Sequence, residues 1–111
     1  MSRVVGSIAP HGGQLVNRRL RGALREAAIE QANSFPQVQL TRMAASDLEM
    51  IAVGAFSPLT GFMTKDDYDS VIDTMHLANG LSWTIPVTLP VADDMAADLQ
   101  EGDEIALVDG D

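Results

Sequence analysis

The chain has 111 residues, no cysteine and a formal net charge of −9. That length allows one domain with one core, and the hydrophobic content of 46% with a mean hydropathy of +0.06 is ordinary for a globular protein. Zero cysteines exclude a disulfide framework and thiolate metal sites, no apolar run reaches the roughly 18 residues of a membrane span, and the start, Met1–Gly6, lacks the long apolar stretch of a secretory signal. The expectation is a single-domain cytoplasmic protein with no membrane partner.

Charge is unevenly placed. Arg3, Arg18, Arg19, Arg21 and Arg25 precede the first carboxylate, Glu26, whereas twelve Asp and Glu follow Lys65 with no further Lys or Arg. The C-terminal half therefore repels polyanions, and the arginines after Asn17 form the one plausible basic surface, read as a solvated helix face whose arginines pair with acids elsewhere.

Residues 4–8 predict a short strand leading to a turn at Pro10-His11-Gly12-Gly13. Leu20, Leu24, Ala27, Ala28 and Gln31 recur at helical spacing, which predicts a helix from about Asn17 to Ser34 with Asn17 as its cap and Pro36 beyond its end. Val38 and Leu40 alternate with Gln37, Gln39 and Thr41, a short strand with one wet face. Ser46-Asp47-Leu48-Glu49 reads as a capping box, after which Leu48, Ile51 and Ala52 form one helix face and Gly54 the stop.

The next ten residues, Gly54–Met63, hold two Gly, a Pro, two Phe, a Leu and a Met. So much apolar surface predicts a loop folded back on the core, with Gly54 and Gly61 supplying backbone angles that other residues resist. A helix starts at Thr64-Lys65-Asp66-Asp67, with Tyr68, Val71, Ile72 and Met75 inward, and Met50, Met63 and Met75 fit core packing. Asn79-Gly80 is a turn. Ser82–Leu89 reads as a strand with Trp83, Ile85, Val87 and Leu89 on one face and Pro86 at an edge or bulge. Residues 93–100 predict a short helix, Glu101-Gly102-Asp103 a turn, and Glu104–Val108 a last strand. The following Asp109-Gly110 is a strong hairpin signal, so the expectation is a domain that is incomplete at its C-terminus, with an open strand edge. Helices and strands alternate without βαβ spacing, which predicts an α+β fold with a small, mixed, barrel-like sheet and several short helices.

Each candidate site also has a structural reading. His11, between Pro and Gly, could face a ligand beside the Gly12 and Gly13 amides, yet it has no neighbouring nucleophile or acid and reads better as a turn histidine bonded to backbone. His76 follows a helix end, where the dipole favours a cation. Asp66, Asp67, Asp69 and Asp73 lack calcium-loop spacing and read, like Asp93, Asp94 and Asp98, as a solvated face. Gly12-Gly13 starts no phosphate loop, and Ser57 lies in no nucleophile elbow. No residue is assigned a catalytic, cofactor-binding or metal-ligating role.

Three segments carry a family resemblance. Ser57-Pro58-Leu59-Thr60-Gly61-Phe62-Met63 resembles the Ser-Pro-Leu-x-Gly-Phe-Met signature of the ATP sulfurylase (sulfate adenylyltransferase) family. Pro10-His11-Gly12-Gly13 before Leu15-Val16-Asn17-Arg18 and Trp83-Thr84-Ile85-Pro86-Val87-Thr88-Leu89 are similar to two more of its motifs. The family's Gln-x-Arg-Asn and His-x-x-His motifs do not occur. The resemblance therefore implies a single N-terminal PUA-like domain over residues 1–111, whose partner is a catalytic domain that the chain lacks. It implies ATP with Mg2+ for that catalytic domain, none for this segment, and a homo-oligomer for the parent enzyme. The parent joins sulfate to ATP, giving adenosine 5′-phosphosulfate and pyrophosphate, in sulfate assimilation or, reversed, in sulfur oxidation. Alternatives are a free-standing assembly module and an RNA-binding module, the latter opposed by the charge of −9.

Overall fold

A computed structural model describes residues 8–109. The elements in order are α1 (Gly22–Ala32), β1 (Gln37–Leu40), α2 (Arg42–Ala52), α3 (Lys65–Thr74), α4 (Asp93–Asp98) and β2 (Ala106–Asp109). Four residues of the strand expected at 4–8, and Gly110 of the expected hairpin turn, lie outside the described residues.

The strands β1 and β2 pair in parallel, from Gln37 opposite Ala106 to Leu40 opposite Asp109. All three later helices lie between them in sequence, the long crossover that a parallel pair requires. This corrects the expected mixed, barrel-like sheet: among the described residues the sheet is one open parallel pair. Val38 and Leu40 point to the buried face with Ala44 of α2 and Ala106 of β2, while Gln37 and Gln39 face water.

α2 begins one turn earlier than expected. The Thr41 hydroxyl accepts from the Ala44 N–H at 3.1 Å, so Thr41 is the cap and Ser46 lies inside the helix, in no capping box. Thr41 wins because β1 ends immediately before it and leaves it extended. Ala44 and Ile51 are the buried residues of α2, and Gly54, at φ +86°, turns the chain out of it. In α3 the Thr64 hydroxyl caps the Asp67 N–H, with Asp66 and Asp67 in the first turn. Of its expected inward residues Val71 is buried, whereas Tyr68, Ile72 and Met75 are exposed, as is Met50 of α2.

The main core joins Ile51, Leu59, Val71, Leu77 and Val87, with Phe56, Phe62, Met63, Leu81 and Trp83 packed around them. Four of these ten come from the Gly54–Met63 loop, which does fold back on the core.

Two long elements depart from their patterns. α1 starts at Gly22, after Arg21, not at Asn17. Asn17 Oδ1 accepts from the Arg19 N–H at 2.9 Å. The Arg18 N–H donates to Ala52 O at 3.0 Å and the Val16 N–H to Ser57 Oγ at 2.9 Å, which ties this stretch to the end of α2 and the loop after it. None of the residues of α1 is buried, and Leu24 is 71% exposed. The expected strand Ser82–Leu89 forms one antiparallel bridge, Ser82 with His76, and then runs without a ladder. Val87 is buried, but Ile85 is 68% exposed.

Candidate functional site

The Pro10–Gly13 turn closes by a bond from the Gly13 N–H to Pro10 O at 2.9 Å, and Gly12 and Gly13 both take positive φ. At Gly12 the glycine is required twice over, since a Cβ would also come within 3.0 Å of Leu81 Cδ1 and 3.4 Å of Pro58 Cγ. This close seating brings His11 against the 82–87 segment. Nε2 of His11 lies 2.8 Å from Ser82 O, and because a carbonyl only accepts, Nε2 carries the proton. The imidazole sits 6.0 Å from the Trp83 ring, which meets Phe56 edge-on at 5.9 Å.

These rings form one wall of a cleft of about 450 Å3. Met43 and Asp47 of α2 line it too, with Ser82, Thr84, Ile85, Pro86 and Val87. The lining is mainly apolar, with His11, Asp47 and two hydroxyl groups as its polar residues. No nucleophile is paired with a base in it. Its chemical capacity is to receive apolar side chains. The sequence signal that could have found it is the alternation Trp83, Ile85, Val87, together with a Met43 that α2 turns outward.

Ser57 is 2% exposed. Its hydroxyl donates to Gly54 O at 2.7 Å and accepts from the Val16 N–H at 2.9 Å, so both its hydrogen-bonding roles are used in tying the signature loop to the N-terminal segment. Gly54 is buried, and a Cβ there would meet Leu15 Cδ1 at 2.5 Å and Val16 O at 3.0 Å. Gly61 departs from expectation, having neither a positive φ nor any atom within 4 Å of a notional Cβ.

The remaining candidates stand apart from the cleft. Nδ1 of His76 is 2.6 Å from Thr74 O. Asp67 Oδ1 accepts from the Ala78 N–H at 2.9 Å, and Asp69 pairs with Lys65 at 2.6 Å, holding the Lys65 pKa above its ordinary value. Among the described residues no three His, Asp or Glu gather where a metal could be held, and no ion pair joins Arg18, Arg19, Arg21 or Arg25 to an acid. The expected pairing of the basic face is thus not found there. No helix of the described residues is long and apolar enough to cross a membrane.

Comparison with known proteins gives a consistent result. A family model described as a PUA-like domain matches residues 8–111. A sulfate adenylyltransferase of Trichormus variabilis is 55% identical over 107 residues, 96% of this chain and 27% of the relative. Another, from Symbiobacterium thermophilum, is 57% identical over 102 residues, 92% of this chain and 26% of the relative. A solved structure described as a hexameric APS kinase from Thiobacillus denitrificans superposes with a TM-score of 0.83 at 40% identity, over 94% of this chain and 21% of that one. The chain therefore spans about a quarter of the length of the sulfate adenylyltransferases it matches.

Proposed function

The chain belongs to the PUA-like domain family, and from that premise we propose that it is the N-terminal, non-catalytic domain of a sulfate adenylyltransferase. The parent enzyme converts ATP and sulfate to adenosine 5′-phosphosulfate and pyrophosphate. One observation carries the reading: identity of 55% runs along 96% of this chain but reaches only 27% of the relative. In this reading residues 1–111 are one domain, and its small sheet closes toward a barrel only with strands from the rest of the enzyme.

The chemistry agrees. Attack of sulfate on the α-phosphorus of ATP requires cations around the phosphates. Beyond Arg42 this chain has a single cation, Lys65, and Asp69 engages it. The described residues do not fit Mg2+ either, because no cluster of acids converges. ATP and Mg2+ are assigned to the catalytic domain, and no residue here is assigned a catalytic, cofactor-binding or metal-ligating role. The work left to this segment is packing against that domain. The absence of cysteine fits a reducing compartment, the cytoplasm. A homo-oligomeric parent, or a free-standing assembly module as the second reading, is favoured by the hexameric description of the matching solved chain.

A hybrid enzyme tests the proposal. Residues 8–109 replace the aligned segment of the Trichormus variabilis enzyme, and pyrophosphate release from ATP and sulfate is measured. The hybrid is expected to keep the parent's activity, and the isolated chain to stay at the no-protein background. A folded, assembled but inactive hybrid, or activity in the isolated chain, overturns the reading.

A further inference from the structure

We infer that residues Trp83–Leu89 are a sheet edge that takes up an extended strand from the remaining three-quarters of the longer enzyme, with an apolar side chain of that strand filling the cleft beside Ile85. The inference rests on the proposed function and adds the partner surface of the domain.

The backbone supplies the first argument. The Trp83 N–H donates to Met75 O at 2.8 Å, and Val87 O accepts from the Met63 N–H at 2.8 Å. Between these anchors, Thr84, Ile85 and Pro86 make no hydrogen bond with any described residue, and the chain bends at Ile85. A sequence with strict strand alternation is thus held at both ends but unpaired in the middle. Open N–H and C=O groups of this kind are the template for strand addition, whereas a helix satisfies its own backbone and would leave them unpaired. Pro86, with no N–H to offer, suits an edge.

The side chains supply the second. Ile85 is 68% exposed and Met43 76% exposed, and both line the cleft of about 450 Å3. A strand laid along 83–89 buries both and places every second side chain over Trp83, Phe56 and Val87. The occupant follows from chain length. β1 and β2 already pair with each other, while the curated relatives extend far beyond the matched segment, which is 27% of the Trichormus variabilis protein.

The test is amide hydrogen exchange at Thr84 and Ile85, compared between the isolated chain and the hybrid enzyme. In the hybrid both amides are expected to exchange at least about a hundredfold more slowly. Ile85→Asp is expected to lower the melting temperature of the hybrid and to leave that of the isolated chain unchanged. Equal exchange in both proteins overturns the inference. So does protection in the isolated chain that rises with its concentration, which would assign the edge to a second copy. A hybrid with activity but unprotected amides rejects strand pairing alone; protected amides in a folded, inactive hybrid reject the functional reading alone.

Discussion

At the residue scale, the signature loop depends on two small residues whose sequence positions look alike but whose roles differ. Gly54 takes φ +86° with Val16 O 3.0 Å from where a Cβ would stand. Gly54→Ala should therefore cost more than about 1 kcal/mol, since the left-handed backbone alone costs roughly that for an alanine. Leu15, exposed and flexible, can move aside; the Val16 carbonyl cannot. Gly61→Ala should leave urea midpoints unchanged, because the site is open and its φ is not positive. A Gly61 variant that melts like a Gly54 variant would contradict the geometry. Ser57→Ala strips the Val16 N–H of its partner in a buried site and should cost about 1–3 kcal/mol by denaturant melts. Gly54 and Gly61 read alike in the sequence, and Ser57 stood out only as part of the signature motif. Which partner its hydroxyl held required the fold, because Val16 is 41 residues away.

Local chemistry and packing compete at the level of single elements. The cap of α3 and the stop of α2 were legible, because Thr64 and Gly54 act on atoms within a few residues. The start of α2 was not, since Thr41 and Ser46 are both competent caps and only the end of β1 decides between them. Thr41→Ala should destabilise the chain by about 0.5–2 kcal/mol and Ser46→Ala should not, a contrast that thermal melts of the two variants resolve. α1 shows the reverse case. Its apolar residues have helical spacing, yet Leu24 and Ile29 are exposed and no residue of the helix is buried. Periodicity reveals that a face is apolar, never what covers it. For the same reason Ser82–Leu89 reads as a strand, although no described ladder includes it.

For the molecule as a whole, two small buried regions stand in place of one large core. The radius of gyration is 16.1 Å, against about 13 Å for a compact domain of this length. Leu20, Leu24, Met43, Ile72, Met75 and Ile85 add exposed apolar surface. The isolated chain is accordingly expected to self-associate in sedimentation as its concentration rises, and the hybrid enzyme to show no such increase beyond its own assembly state. A chain that stays monomeric at high concentration would contradict this. Leu59→Ala, in the centre of the main core at 6% exposure, should cost about 2–5 kcal/mol in a denaturant melt. RNA binding is expected to be absent at physiological salt, since a net charge of −9 leaves phosphate neutralisation to four arginines near α1.

The sequence by itself determined the family, the turns at Pro10–Gly13, Asn79-Gly80 and Glu101–Asp103, the loop folded on the core and the shortage of cations beyond Arg42. Each of these depends on residue type or on contacts between near neighbours. Only the tertiary structure decided that β1 and β2 run parallel, that Asn17 lies before α1 without capping it, and that the Trp83–Val87 pattern faces an open cleft. Those outcomes depend on bonds such as Arg18 N–H to Ala52 O and Ala106 N–H to Pro36 O, made between residues far apart in the chain. Spacing along one segment carries no information about which distant carbonyl will meet it.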